Sequence, residues 1–380
     1  MELLKGFEKS KNTSIFCWGL GAEGQLGYGG TENSSIPLKS KIIGKIIDVS
    51  AGGQFSAAVS EEGSLYMWGS NKKYQISLEN TEIDYAIPTK IKNLTNISLV
   101  ACGDWHSIIL DNNGTVYSVG YNKAGCLGLG DNENRSSFTP IPKKELKFIK
   151  IAAGRNISLM LTEKSELCSC GSGYMNGNQA ENINEVRVIE TLKNIQIKEF
   201  SAGFSCCACV DSIGNAYTWG ESEDYQLGHG NKTSSIVPKI VERLTKIIQI
   251  SCSRGDKHCH MGCVDAAGSA FSWGSGYKAK LGHGDSKDQI LPKKIESLEK
   301  ENIKIKQFIC GGIHSACLGE NGVLYTFGCG SDGRLGHPEK GNHKYLYKEK
   351  IPKAIEALKG QKVEKSFSSY YHMIALCSDE

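Results

Sequence analysis

The sequence predicts an all-β fold, a seven-bladed β-propeller of four-stranded antiparallel blades whose ring is closed by strands from both ends of the chain. This prediction depends on a repeated dipeptide, on the order of parts within each repeat, and on the complementary chain ends. A Trp-Gly pair or a close substitute recurs seven times, at spacings of 50, 51, 51, 49, 54 and 54 residues. A fixed period of this size indicates a repeat architecture. The copies are Trp18-Gly19, Trp68-Gly69, Val119-Gly120, Cys170-Gly171, Trp219-Gly220, Trp273-Gly274 and Phe327-Gly328.

Each repeat contains the same parts in the same order. An alternating segment such as 47–52 predicts a first strand, and an apolar run such as 106–110 predicts a second. Asp or Asn followed by Gly, as at 111–114, is typical of the tight turn that leads to the third strand, which carries the Trp-Gly pair. A Gly-rich turn then leads to a fourth strand. Proline places that strand at a sheet edge, at Pro37, Pro88, Pro238 and Pro292. Four such strands repeated radially describe a propeller blade.

The end of each first strand carries a small residue, as expected where the inner strands crowd toward the axis. The aligned residues are Ala51, Cys102, Ala153, Ala202, Cys252, Cys310 and Ser368. The residue two positions earlier is apolar and should pack between blades, except Ser366 in the last unit.

The two chain ends complement each other. The N-terminal end supplies a Trp-Gly strand at 14–18 and a proline-marked strand, but no inner pair before them. The C-terminal end supplies an inner pair, 363–367 and 372–377, with no Trp-Gly strand after it. We expect these halves to form one blade, because closure removes free sheet edges. The propeller should span 15–380 after a tail at 1–14, with repeats that begin near 16, 65, 116, 167, 216, 270 and 324.

Composition excludes several classes of protein. The net charge of +3 is far below that of a dedicated nucleic-acid binder. The chain contains no run of eighteen apolar residues and no apolar stretch typical of a secretory signal. We therefore expect an intracellular protein, cytoplasmic or nuclear, without a membrane span. Of its fifteen cysteines, those in the predicted strand segments 168–170 and 206–209 should then be buried thiols and not disulfides.

The combination of Trp-Gly, Gly-x-Leu-Gly, proline and Ala-Gly or Cys-Gly-x-x-His-Ser resembles the regulator of chromosome condensation family. The strongest matches are 24–27, 102–107, 225–230, 280–284, 310–315 and 333–337. The kelch propeller has a similar period, but its paired glycines precede an aromatic residue. Members of the resembled family include a nucleotide-exchange factor for the small GTPase Ran that also binds nucleosomes. Others are substrate-recognition domains of ubiquitin ligases, trafficking scaffolds and an ultraviolet-B photoreceptor.

The resemblance implies a partner-binding surface on the loops between first and second strands. Asp104 matches an acidic position of the family and His372 a functional histidine, whereas Asn156 stands where an acid is expected. The resemblance to the exchange factor also implies an inserted β-hairpin wedge, but the corresponding stretch 121–139 is short and regular. The expected partner-binding residues are Phe55, Asp104, Trp105, His106, Arg155, Asn156, Phe204, His314, Tyr371 and His372.

Two functional hypotheses follow. The first is a protein-interaction propeller that regulates a Ran-like small GTPase, as a candidate guanine-nucleotide exchange factor, with histones or nucleosomes as further partners. The alternative is a substrate-recognition or scaffold domain without exchange activity. A photoreceptor is disfavoured because Trp105 alone lies on the loops, while the other four tryptophans occupy the core position of the repeat.

Neither bond-breaking catalysis nor a cofactor or small-molecule substrate is expected, because no paired acids or nucleophile–base pattern occurs. A zinc site is a weaker hypothesis, since the spacings match no standard pattern; its candidate ligands are Cys252, His258, Cys259 and Cys263, near His260.

A basic insertion is interpreted as a solvated loop or as a contact for phosphates or an acidic partner. It contains Lys340, His343, Lys344, Tyr345, Tyr347, Lys348, Lys350 and Lys353.

Overall fold

Seven four-stranded antiparallel sheets surround a central channel in the computed structural model, which describes residues 13–42, 44–78, 81–142, 145–338 and 347–379. This confirms the predicted propeller. The first half of the chain forms β1 (Thr13–Gly19), β2 (Ser34–Lys39), β3 (Ile46–Ala51), β4 (Phe55–Ser60), β5 (Leu65–Gly69), β6 (Tyr85–Lys90), β7 (Ile97–Cys102), β8 (His106–Asp111), β9 (Val116–Gly120), β10 (Arg135–Pro140), β11 (Phe148–Ala153), β12 (Ile157–Thr162), β13 (Leu167–Gly171) and β14 (Ile183–Val188).

The second half continues the same order of strands, with short helical turns between them. The strands are β15 (Ile197–Ala202), β16 (Cys206–Asp211), β17 (Ala216–Gly220), β18 (Ser235–Ile240), β19 (Ile247–Cys252), β20 (His260–Asp265), β21 (Ala270–Gly274), β22 (Gln289–Lys294), β23 (Ile305–Cys310), β24 (His314–Gly319), β25 (Leu324–Cys329), β26 (Lys348–Ala354), β27 (Gln361–Ser368) and β28 (His372–Asp379). The helical elements are α1 (Glu296–Lys300) and 3-10 turns at Glu190–Leu192, Tyr277–Ala279, Ser331–Gly333 and Glu356–Leu358. Across the described ranges, no helix has both the length and the apolar character to cross a bilayer.

The blades follow the chain in order. The first blade is β3 to β6, and each later group of four strands forms the next, up to β23 to β26 in the sixth. The closing blade takes the order β2-β1-β28-β27, so both chain ends contribute two strands. Within it, β1 pairs with β28 at seven consecutive positions, from Thr13 opposite Ser378 to Gly19 opposite His372. The predicted closure by both termini is therefore confirmed. The strand itself begins at Thr13, and residues 1–12 of the expected tail lie outside the described residues.

The innermost strand of every blade lines the channel, a cavity of about 480 Å³. Neighbouring inner strands are tied together by polar side chains as well as by packing. Ser50 Oγ accepts a hydrogen bond from the Cys102 backbone at 3.0 Å, and Gln249 exchanges two hydrogen bonds with the Phe308 backbone, at 2.9 and 3.0 Å. The small residues at the ends of these strands are at most 4% exposed. The ring is thus continuous around its axis.

Contacts between blades explain why Trp-Gly and Gly-x-Leu-Gly recur together. The indole N–H of Trp68 donates to the Gln25 carbonyl in the turn of the preceding blade, at 2.8 Å. Trp273 makes the same bond to the Gln226 carbonyl at 2.8 Å. The indole also lies over the last glycine of that turn, because a Cβ added to Gly27 would lie 2.7 Å from Trp68 Nε1. Trp68 and Trp273 therefore each require a glycine in the neighbouring blade, Gly27 and Gly228 respectively.

The first blade lacks the last glycine of its turn, the second blade lacks the tryptophan that would contact it, and these two departures from the repeat are complementary. In the turn of the first blade, Ser77 takes the place of the last glycine and keeps its left-handed backbone, with φ of 55°. The residue that corresponds to the tryptophan in the next blade is Val119, which has no indole to collide with a side chain. The loss of one tryptophan thus permits the loss of the glycine that it would contact.

Replacing Gly27 by Ala is expected to destabilise the ring by at least about 2 kcal/mol, because the new Cβ forces a left-handed residue and displaces the Trp68 indole. Ser77→Ala is the matched control, since Ser77 already carries a Cβ in the same conformation, and it should change stability by less than about 0.5 kcal/mol. Urea denaturation measures both. Equal losses in the two variants would contradict the proposed contact.

Candidate functional site

Seven loops between first and second strands gather at one end of the channel. We call this surface the loop face; it comprises residues 52–54, 103–105, 154–156, 203–205, 253–259, 311–313 and 369–371. Backbone hydrogen bonds of 2.9–3.3 Å join successive loops around the axis. They run from the N–H groups of Gly53, Asp104, Arg155, Phe204 and Arg254 to the carbonyls of Gly103, Gly154, Gly203, Ser253 and Gly311. Because of this network, the loops form a rigid rim.

The loops of the second, third and fourth blades bring two aromatic rings together in a stack around an arginine. The Arg155 guanidinium carbon lies 4.1 Å from the ring centroid of Phe204 and 5.7 Å from that of Trp105. Trp105 is 37% exposed and also packs edge-on against Tyr121, at 5.8 Å between centroids. Among the described carboxylates, none lies within 4.0 Å of the Arg155 guanidinium. Cation–π contacts therefore hold this charge in place without neutralising it.

A second arginine closes the channel beside the stack. Arg254 lies in the long loop of the fifth blade, and its Nη1 donates to the Ala153 carbonyl two blades away, at 2.6 Å. Burial raises the pKa of the neighbouring Asp104 carboxyl to about 6, although Arg254 and Arg155 favour its charged form. Asp256 adds to the increase because a second negative charge disfavours ionisation. Four charged groups, two arginines and two aspartates, thus lie close together on the loop face.

Two tyrosines occupy the loop of the closing blade. The rings of Tyr370 and Tyr371 are 4.3 Å apart, and the guanidinium of the buried Arg334 lies 5.5 Å from the Tyr371 ring. Arg334 Nη1 also donates to the Tyr370 carbonyl at 3.3 Å, which fixes the loop from below. Both tyrosines are partly exposed. They extend the aromatic surface of the loop face to the closing blade.

The structure separates the ten expected partner-binding residues into two sets. Asp104, Trp105, Arg155, Asn156, Phe204 and Tyr371 are at least partly exposed on the loop face. Four others are at most 1% exposed: Phe55, His106, His314 and His372. These four lie between blades and cannot reach a partner while the ring is intact.

The buried histidines connect neighbouring blades. Nε2 of His106 lies 3.0 Å from Ser158 Oγ, and Nε2 of His372 lies 2.8 Å from Ser56 Oγ. Each serine donates its own proton to a turn carbonyl of the blade before it, Cys126 in the first case, so the imidazole must be the donor. His260 forms the same kind of contact between blades, with Ser315 Oγ at 2.8 Å. The sequence places His260 only near the candidate zinc ligands. His314 contacts Ser368 Oγ instead, at 2.8 Å.

The sequence motif Cys-Gly-x-x-His-Ser has a structural explanation. A Cβ added to Gly103 would lie 2.5 Å from the His106 ring, and one added to Gly311 would lie 2.3 Å from the His314 ring. The glycine makes room for the imidazole. In the second motif the serine that follows the histidine, Ser315, also accepts the bond from His260 of the preceding blade. We call each such histidine–serine contact a blade clasp.

The candidate zinc ligands do not converge. His258 stacks on the Tyr277 ring at 4.2 Å, and Cys259 Sγ lies 3.3 Å from the Gly255 carbonyl. Cys252 and Cys263 are buried within β19 and β20, where burial raises the pKa of the Cys263 thiol. In the described parts of the chain, no three His, Cys, Asp or Glu side chains are grouped so that they could hold a metal ion. All fifteen cysteines are buried free thiols.

The remaining predicted segments are placed as follows. The stretch 121–139 is described throughout and forms a turn-rich loop followed by β10, with no further pair of strands inserted in it. Most of the basic insertion, including Lys340, His343, Lys344 and Tyr345, lies outside the described residues. Its last part joins β26, where Lys353 Nζ pairs with the Glu349 carboxylate at 2.7 Å.

A closed ring with a rigid rim of stacked aromatic and charged side chains defines a propeller built for protein interaction. The chain belongs to the regulator of chromosome condensation (RCC1) family. The RCC1-like domain model matches residues 9–259, and the RCC1 repeat model matches residues 267–318 and 321–376.

Two relatives and two solved structures illustrate the family likeness. The ultraviolet-B receptor UVR8 of Arabidopsis thaliana is 30% identical over 370 residues, covering 93% of this chain and 81% of the receptor. The E3 ubiquitin-protein ligase HERC2 of Mus musculus is 30% identical over 327 residues, covering 83% of this chain but only 6% of the ligase. Human WBSCR16 superposes with a TM-score of 0.85 at 21% identity, covering 97% of this chain and all of that one. Prp20p of Saccharomyces cerevisiae, for which binding to Gsp1p and histones is described, superposes with a TM-score of 0.82 at 18% identity, covering 98% and 93% of the two chains.

Proposed function

We propose that the loop face docks a partner protein, and that the partner is a small GTPase of the Ran class. The Arg155 stack supports this proposal most strongly. Its guanidinium is held between Phe204 and Trp105, and no described carboxylate lies within 4.0 Å of it, so it presents a positive charge without a direct ion pair in an aromatic surface. Arg, Trp and Tyr dominate the energetic centres of protein interfaces.

Rigidity of the loop face also favours docking. The backbone bonds between loops and the Arg254 contact across the channel fix the side chains before a partner arrives. Pre-ordered side chains lose less conformational entropy on binding, which increases affinity. A partner carboxylate that reaches Arg155 would complete the pairing that the free protein lacks.

A family neighbour supports this class of partner. Prp20p binds Gsp1p and histones, and the family resemblance implies a Ran-like GTPase at the loops that carry Asp104 and Trp105. Histones are a further candidate partner for the same reason. Localisation to the cytoplasm or nucleus is proposed with these partners.

A second function is docking without nucleotide exchange, as in a scaffold or a substrate-recognition domain. The observation that favours it is the loop at 121–139, which carries no inserted hairpin that could act as a wedge on the nucleotide site. Binding of the GTPase and acceleration of nucleotide exchange are therefore separate activities. Measuring the affinity for Ran and the release of nucleotide from Ran distinguishes them.

Arg155→Ala is expected to weaken binding of nucleotide-free Ran by about tenfold or more, because it removes the charge and loosens both rings. Biolayer interferometry measures the affinity. Arg187→Ala is the matched control, since Arg187 is exposed on the outer strand β14 and pairs only with nearby Glu185 among the described groups. Equal binding by wild type and Arg155→Ala would exclude the loop face as the docking surface.

Release of a fluorescent GDP analogue from Ran supplies the second measurement. Acceleration by the wild-type protein that is lost in Arg155→Ala would support exchange activity. Binding through Arg155 without acceleration would support the scaffold or recognition function. Failure of the wild type to bind Ran in any nucleotide state would overturn the proposed class of partner.

A further inference from the structure

The opposite end of the propeller carries an exposed isoleucine where the fold needs none. Six blades join their second and third strands by a tight turn at this end, and the residue at the tip is exposed in each. Ile213 occupies the tip in the fourth blade and is 76% exposed. The corresponding residues in the other five are Glu62, Asn113, Lys164, Ala267 and Asn321. Because polar or small residues serve these turns equally well, folding does not explain the isoleucine.

Ile213 forms one wall of a groove between the fourth and fifth blades. The groove has a volume of about 270 Å³, and Ile248, which is 51% exposed, contributes apolar surface to it. Ile248 is the extra residue of a β-bulge at the start of β19, because Ile247 pairs with Asp265 and Gln249 pairs with Val264, which directly precedes Asp265. A bulge turns its side chain away from the sheet. Both isoleucines therefore face solvent in one groove.

The backbone around the groove is fixed. The N–H of Ile247 donates to the Gly214 carbonyl at 3.0 Å, and the N–H of Ser212 donates to the Gln196 carbonyl at 2.7 Å. These bonds join the turn of the fourth blade to the segments that lead into β15 and β19. The groove is thus a feature of the folded ring and not a gap between mobile loops.

The charge of the groove is positive. Lys198 and Lys246 line it, and neither forms an ion pair with a carboxylate among the residues that the structure describes. Asp211 also lines the groove, but its carboxylate accepts bonds from the Ile213 N–H at 3.0 Å and the Asn215 N–H at 2.9 Å. Its other oxygen accepts from Tyr217 at 3.2 Å and from the Asn215 side chain. Although burial opposes ionisation, the bonds from Asn215, Ile213 and Tyr217 lower the pKa of Asp211, which therefore stays charged. Two lysines against one carboxylate leave the groove with a net charge of +1.

We propose that this groove binds an extended acidic segment of a partner protein, anchored by one or two apolar side chains against Ile213 and Ile248. The volume lies just below the ~300–1,000 Å³ of small-molecule pockets, so it suits side chains better than a cofactor. Lys198 and Lys246 attract the acidic residues that flank the anchor. This site lies at the opposite end of the ring from the loop face and does not depend on the GTPase proposal.

A fluorescein-labelled peptide with a leucine and a phenylalanine between pairs of aspartates is the probe, and fluorescence anisotropy at low salt measures its binding to the full chain. Wild type should bind it saturably. Ile213→Asp should weaken binding by about tenfold or more, and Lys246→Gln should weaken it and reduce its salt dependence. Asn113→Asp places the same residue at the same turn position of another blade and should leave binding unchanged.

Three results would overturn the proposal: no saturable binding of the probe at millimolar peptide, equal affinity for wild type and Ile213→Asp, or loss of binding in Asn113→Asp as well. Binding of the protein to vesicles that contain phosphatidylserine is a further measurement. Binding of the wild type to these vesicles through Ile213, without binding of the peptide, would assign the groove to an anionic membrane surface and contradict a protein partner. Because Ile213 is exposed at a turn, Ile213→Asp should melt like the wild type, so a change in binding reports on the groove.

Discussion

A chain that ends at Lys365 is expected to lose cooperative folding. The deletion removes β28 entirely, which leaves β1 without its partner along seven residue pairs and opens the ring. It also removes buried side chains that fill the closing blade, among them Met373, Ile374 and Leu376, each at most 5% exposed. Burial of a large apolar side chain contributes ~1.5–3 kcal/mol. The sum approaches the whole stability of a typical domain, about 5–15 kcal/mol.

Circular dichroism during thermal unfolding tests this expectation. The matched control is a circular permutant whose new ends lie in the turn at 112–113 and whose original ends are joined by a flexible linker. The permutant keeps every strand and should melt within a few degrees of the wild type. A truncated chain that melts cooperatively near the wild-type temperature would show that the closing blade does not hold the ring together.

The fold could be predicted from the sequence because its determinants are local and repeated. Each Trp-Gly pair marks a third strand, and the mismatch between the ends of the chain already required a shared blade. The degenerate repeats did not obscure the pattern, since Ser77 and Val119 change one contact together and leave the strands in place. Repetition thus supplied several independent signals for one architecture.

The candidate site was predicted less completely because exposure changes within one or two residues at the end of each loop. Trp105 is exposed, whereas the next residue, His106, is buried and forms a blade clasp. No property of the isolated motif distinguishes these two positions. Arg254 was missed because its role depends on a carbonyl 101 positions earlier in the chain, which only the closed ring brings within 2.6 Å. The lengthened loop of the fifth blade was the one available signal.

The blade clasps make stability sensitive to mild acid. Burial lowers the pKa of the clasp histidine His106 to about 4 and that of His372 to about 3, and it lowers those of His260 and His314 as well. It also lowers the pKa of three turn histidines outside the clasps, each of which contacts a hydroxyl of its own blade: His229, His283 and His337. Below the ordinary histidine pKa of about 6.5 the unfolded chain binds protons that the folded ring does not. Stability is therefore complete above about pH 6.5 and decreases as pH falls toward about 4. Each buried histidine contributes up to about 1.4 kcal/mol per pH unit in this range.

Asp104 acts in the opposite direction. Its raised pKa of about 6 means that the folded ring takes up a proton before the unfolded chain does, which favours folding as the pH falls. One carboxyl cannot offset seven histidines. The net expectation is a melting temperature that falls by about 10 °C or more between pH 7 and pH 5.

His106→Gln tests whether a blade clasp causes this dependence. The glutamine Nε2 can donate to Ser158 Oγ as the imidazole does, but it does not titrate, so the variant should fold and lose less stability on acidification than the wild type. His258→Gln is the control, because His258 stacks on Tyr277 and forms no clasp, and its pH profile should follow the wild type. Urea denaturation across the pH range gives the slope for each protein. If His106→Gln and His258→Gln change that slope equally, the titrating groups are not the histidines between the blades.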